Sequence, residues 1–143
     1  MDILNRLAPY AHWLLRIALA SVFVYHGGLK IADPGGGAML GYASTLWLLV
    51  GLLEAGGGLL VVVVGGILGG PGDRLTRLGG AMLMVPMLGA ITQVHWGRWS
   101  FVPTPDYPMG GMEFQTTLLL LALFFVLVGN ATQERSLPVQ APR

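Results

Sequence analysis

Five side chains in this sequence carry chemistry inside or beside strongly apolar segments: His26, Lys30, Glu54, His95 and Glu113. His26 and Lys30 are four residues apart, a spacing that places both on one face of a helix. Histidine and carboxyl groups next to an apolar cavity exchange protons with a quinone head group, whose reduction takes up protons together with electrons. Lysine adds a fixed positive charge that suits an oxyanion or a semiquinone. On this chemistry all five are candidate catalytic residues, and His26, Glu54 and His95 are the candidate cofactor contacts, with quinone the cofactor that the chemistry admits. Two histidines and two carboxylates drawn from separate segments form no diagnostic metal spacing, so no metal site is expected. Met82, Met84 and Met87 read as gap-filling side chains of one helix rather than copper ligands. No nucleotide, flavin or haem motif is present, so electrons for any redox step come from an outside carrier or a partner subunit.

Each of these residues also has a plainer reading. Lysine at a helix end snorkels to the interface and suits the helix dipole. Glu54 can be a protonated, hydrogen-bonded clamp between helices, and His95 beside Trp96 can be an interfacial residue without a task. An acid deep in an apolar helix nevertheless marks a functional site by default, because it costs about 2.5–3.5 kcal/mol to insert there.

The elements that must carry these residues are membrane helices. The 143-residue chain is 54% hydrophobic and 10% charged, with a mean hydropathy of +0.67, whereas soluble domains carry about 25% charge. A chain this short cannot bury so much apolar surface against itself. It contains no cysteine, which excludes disulfide frameworks, thiolate metal sites and dithiol relays, and it has no basic stripe suited to nucleic acid. Apolar runs of about 20 residues give four spans, at about 12–31, 43–68, 75–94 and 113–129. They are separated by Asp33-Pro34-Gly35, by Gly69-Gly70-Pro71-Gly72 and by a longer loop from Trp96. The expected fold is all-α, an integral membrane four-helix bundle forming one domain over 1–143. Pro86 is expected as a tolerated kink, the first span as a retained helix rather than a cleaved signal, and the tail 131–143 as disordered.

Four spans put both termini on one side, with Arg6, Arg16, Arg74, Arg77, Arg135 and Arg143, against Lys30 and Arg98 on the other. That bias makes the termini cytoplasmic in an inner (plasma) membrane. Tyr25, Tyr42, Trp47, Trp96, Trp99 and Tyr107 then form a belt on the outer side. Arg16, near the start of its span, is expected to snorkel. All the candidate residues except Glu54 converge at the outer level, while Glu54 lies about 16 Å down its helix, near the midplane. Runs such as Gly56-Gly57-Gly58 and Gly65-Gly66 are expected to let helix backbones approach closely in lipid.

The stretch Arg16-Ile-Ala-Leu-Ala-Ser-Val-Phe-Val-Tyr-His26-Gly-Gly-Leu-Lys30 resembles the opening helix of the DoxX/DoxD family. Gly51-Leu-Leu-Glu54-Ala-Gly-Gly-Gly, Arg77-Leu-Gly-Gly-Ala-Met, His95 and Gly110-Gly111-Met-Glu113-Phe continue the likeness over about residues 12–130. The resemblance implies a four-helix membrane protein associated with redox reactions, with His26, Lys30, Glu54, His95 and Glu113 at the family-like polar positions. Three functions follow as expectations. The first is a redox-associated subunit with an outer polar pocket for a quinone or similar small molecule. The second is a non-catalytic accessory subunit stabilising a larger membrane complex. The third, the weakest with so few spans, is a small-solute or proton transporter. The expected partners are the lipid bilayer and either other membrane subunits or further copies of the chain.

Overall fold

The structure is a computed structural model that describes residues 2–131. A short helix α1 (Asp2–Leu7) and a 3-10 turn lead into α2 (His12–Ala32), 21 residues long. Asp33 ends α2, and its carboxylate accepts from the Gly35 amide at 3.2 Å. Pro34 then opens a 3-10 helix, Pro34–Leu40, which Gly41 closes in the left-handed region at φ 78°. The chain turns by 112° into α3 (Ser44–Leu59). A π-helical stretch, Leu60–Val64, and the short α4 (Gly65–Ile67) continue the same path. After the turn at Gly69–Gly72 come α5 (Gly72–Gln93), with Pro86 inside it, and α6 (Glu113–Val128). The described residues contain no strand, only an isolated bridge between Thr104 and Tyr107.

The described residues are therefore all-α in class. By length and composition α2 and α5 are each able to cross a membrane, and the bent pair formed by Pro34–Leu40 and α3 qualifies as a third span when taken together. The apolar α6 is shorter, at 16 residues. Several expected boundaries shift. The third helix starts at Gly72, since Asp73 and Arg74 fit its first turn, and the fourth ends at Val128. The second is not a regular α-helix through residue 68. The Gly65 amide bonds Leu60 O, one residue further back than α-helical pairing requires. The expected disordered tail falls, beyond Ala131, outside the described residues.

Neighbouring helices run antiparallel, and glycine sets their spacing. At Gly27 of α2 a β-carbon would stand 2.5 Å from Ala55 N and 2.7 Å from Gly51 O of α3. At Gly57 it would meet Leu83 and Gly79 O of α5, and at Gly80 it would lie 2.8 Å from Ala122 O of α6. Each seam is thus one where only hydrogen fits, and backbone packing of this kind holds helices together where water exclusion is unavailable. Between the seams Leu19, Phe23, Val61, Leu83, Met87, Leu118, Ala122 and Phe125 form one apolar core.

Candidate functional site

The sequence-predicted residues separate into two assemblies and two outliers. The first assembly is Lys30 with Glu54. The close approach at Gly27 and Gly51 brings α2 and α3 together there, and Lys30 Nζ donates to Glu54 Oε2 at 2.6 Å. The Glu54 side chain keeps 4% of its surface and Lys30 keeps 15%. Trp47 covers the ammonium at 5.1 Å from its ring centroid. Glu54 is therefore a paired carboxylate, and the expected difference in depth does not separate the two groups. Side chains on a helix lean toward its N-terminus. On antiparallel α2 and α3 that lean carries the lysine and the glutamate toward each other.

His95 belongs to the second assembly. It follows the end of α5, where its own amide bonds Ala90 O at 3.0 Å, and its ring is buried. Nδ1 lies 3.1 Å from Gly110 O, and Nε2 lies 3.0 Å from Gln115 Nε2. A carbonyl only accepts, so Nδ1 carries the proton and donates to Gly110 O. Nε2 is then the acceptor for the Gln115 amide. The loop over residues 94–112 is shaped to make this contact. Met112 N donates to Arg98 O at 2.9 Å, and Arg98 donates to Thr104 at 2.6 Å. Gly110 sits at φ 76°, close against Phe101 O. Gln115 together with Phe101, Met109, Gly111 and Phe114 lines a cleft of about 320 Å³. The Gln115 Oε1 atom is buried and has no hydrogen-bond partner among the described residues.

The outliers are His26 and Glu113. His26 is exposed on α2 and makes an edge contact with Tyr25 at 5.3 Å between ring centroids. No hydrogen bond joins it to Lys30, Glu54 or another described residue. The Glu113 carboxylate, in the first turn of α6, has no hydrogen bond or ion pair among the described residues. The expected convergence of His26, Lys30, His95 and Glu113 at one level is thus not seen as contact: Lys30 pairs with Glu54, His95 with Gly110 and Gln115, and His26 lies a full helical turn from Lys30.

A third polar assembly was not anticipated. Arg16 does not snorkel; it is completely buried. Its Nε donates to His12 Nδ1 at 3.1 Å, Nη1 to Thr76 Oγ1 at 3.1 Å and to Val61 O, and Nη2 to Asn130 Oδ1 at 2.5 Å. Val61 O is the carbonyl that the Gly65 amide would meet in an α-helix; in the π-helical stretch that amide bonds Leu60 O instead, and the arginine donates to Val61 O. Asn130 also donates to Gly65 O at 2.7 Å, and its backbone amide donates to Asp73 at 2.8 Å. Asp73 pairs with Arg77 at 2.8 Å, and Arg77 in turn caps the carbonyls of Val126 and Leu127 at the end of α6. The signal in the sequence is that Arg16, Thr76 and Asn130, three polar residues at the margins of apolar runs, all fall at one end of the fold.

No family model matches the chain, and no curated protein and no solved structure matches it.

Proposed function

We propose that the chain is a four-span, DoxX-like subunit of the plasma membrane, its termini cytoplasmic. In this reading it is associated with redox chemistry and takes a quinone or a similar small amphipathic molecule at its outer end. The observation that carries the reading is His95. Its ring is held at both nitrogens, and its partner Gln115 forms part of an apolar cleft walled by Phe101, Met109 and Phe114. Ligand sites of this kind combine apolar walls with a few fixed polar groups. In this reading α2, α3 with its π-helical continuation, α5 and α6 are the spans. Lys30–Glu54 holds α2 to α3 and sets a charged pair beside the site, and electrons arrive through a partner subunit.

The test is purification of the full chain in mild detergent, followed by mass spectrometry of what accompanies it. A bound quinone that is lost in His95→Phe supports the reading, and wild-type protein that takes up no added quinone overturns it. The second reading, a structural accessory subunit, is favoured by the completeness of the Lys30–Glu54 pair without any ligand and by the glycine seams. Stoichiometric partner subunits recovered without a small molecule would select it.

A further inference from the structure

Taking α6 as a span, as proposed, we infer that the loop between α5 and α6 is a further membrane contact: its Trp96, Trp99, Phe101 and Val102 side chains seat in the outer lipid leaflet rather than in water. Trp96, Trp99 and Phe101 are each at least 63% exposed, and Val102 is 50% exposed. A loop free to collapse would turn such side chains inward, and this one is held from doing so by its own hydrogen bonds. Val102 N donates to Ser100 Oγ at 3.1 Å, Met112 N donates to Arg98 O at 2.9 Å, and Thr104 and Tyr107 exchange backbone bonds at 3.0 Å. The His95 ring ties the end of α5 to Gly110 O. The patch also leaves no charge unpartnered within it. Arg98, the charged residue between Trp96 and Val102, donates to Thr104 and lies 5.7 Å from the Tyr107 ring centroid.

What covers the patch follows from its level and its neighbours. The apolar run of α6 begins just after Glu113, so on a spanning α6 the hydrocarbon ends near that residue. The loop is fastened at the same level, since Gly111 packs against Arg98 O and Ser100 O with no room for a β-carbon. Phe114, Thr117 and Leu120, three residues apart along α6 and therefore neighbours on its surface, are all exposed. Phe101 and Phe114 wall the same cleft, which joins the loop patch to this ridge of the helix. Tryptophan suits such a boundary, because its ring is apolar while its N–H stays within reach of the head groups. The cleft opens at the same boundary, so an amphipathic ligand of the proposed site would enter sideways from the leaflet.

The test exploits the absence of cysteine from the sequence. The full chain carries a nitroxide label at one introduced cysteine, in the variants Val102→Cys, Trp99→Cys, Leu120→Cys and Asp106→Cys, each in nanodiscs of phosphatidylethanolamine and phosphatidylglycerol. All four positions are exposed, so the labels displace no core packing. Power-saturation electron paramagnetic resonance compares the access of oxygen, which concentrates in lipid, with that of a water-soluble nickel chelate. The labels at Val102 and Trp99 are expected to favour oxygen, as the label at Leu120 does, while the label at Asp106 favours the chelate. Oxygen-to-chelate ratios at Val102 and Trp99 no higher than at Asp106, with Leu120 still in lipid, overturn the inference and leave α6 as a span. Exclusion of both reagents from Val102 and Trp99 also overturns it, because protein rather than lipid then covers the patch. A water-exposed label at Leu120 overturns the four-span reading and the inference with it.

Discussion

Around Arg16, each guanidinium nitrogen has an acceptor, the side chain has no exposure, and the acceptors come from α2, the π-helical stretch, α5 and the end of α6. Around His95 the ring is equally fixed, but the network stops one hydrogen bond short, at the buried Oε1 of Gln115, a residue that also lines an apolar cleft. Both assemblies are buried polar groups in a strongly apolar chain, so both are high-stakes in the same way. The difference lies in closure. A network with every member satisfied specifies one packing of the helices, whereas a network with one member missing leaves the desolvation of a buried acceptor uncompensated. Lys30–Glu54 falls between them, fully paired yet partly open at the lysine.

Mutations that remove one member of each assembly should separate them. Arg16→Leu leaves Val61 O, Thr76 and Asn130 without their charged donor. It is expected to lower stability by about 3–5 kcal/mol, the range for breaking a buried charged network from one side, measured as lost resistance to heat in detergent. Arg16→Lys should restore less than half of that, because an ammonium is a point donor and cannot fork to acceptors on several elements. Full rescue by lysine would mean that charge alone matters there. Lys30→Met comes next, at about 2–3 kcal/mol, since it leaves a buried carboxylate unpaired. Adding Glu54→Gln should recover most of that loss, and simple additivity of the two changes would show that the pair is not coupled.

Gly27→Val tests the seam rather than the charges. The new side chain would press on Ala55 N and Gly51 O, an overpacking expected to cost about 1–3 kcal/mol. Cross-linking between cysteines placed on α2 and α3 should report the wider separation. The smallest expected effect on stability is that of Gln115→Met, within about 1 kcal/mol of wild type, because removing an unsatisfied acceptor offsets the loss of its hydrogen bond to His95. A large destabilisation by this change would place the His95 assembly in the same class as that of Arg16.

The helices were legible because their apolar runs end at residues that cannot continue them, such as Pro34 after Asp33 and the Gly69-Gly70-Pro71 turn. Composition and length supported a membrane chain for the same reason. The π-helical stretch was not legible: Leu60–Val64 is a run of leucine and valine that fits α or π pairing equally, and the side chain that bonds within it, Arg16, lies 45 residues earlier in the chain. Arg16 itself was misjudged because a lone arginine near the start of a span ordinarily reaches outward. Its inward course depends on acceptors from Thr76 and Asn130 that only the fold brings together. The Lys30–Glu54 pair was within reach of the sequence in type but not in register, since helix rotation and side-chain lean decide it. His95 was selected by its type and position; Gln115 is legible as a polar residue in the first turn of the fourth span, but nothing in the sequence pairs it with His95.

At 16 residues, α6 is about 24 Å long, roughly 6 Å short of a hydrocarbon core about 30 Å thick. With α6 as a span, the bilayer must thin along that flank, at a cost of fractions of a kcal/mol per Å of mismatch. Leu120 and Leu127, exposed at 60% and 67%, stand on this flank. A neighbouring protein helix laid there would replace the deformed lipid and release the deformation energy. Membrane thickness would then act on this chain as an assembly signal, with thicker bilayers pressing it more strongly toward association through α6.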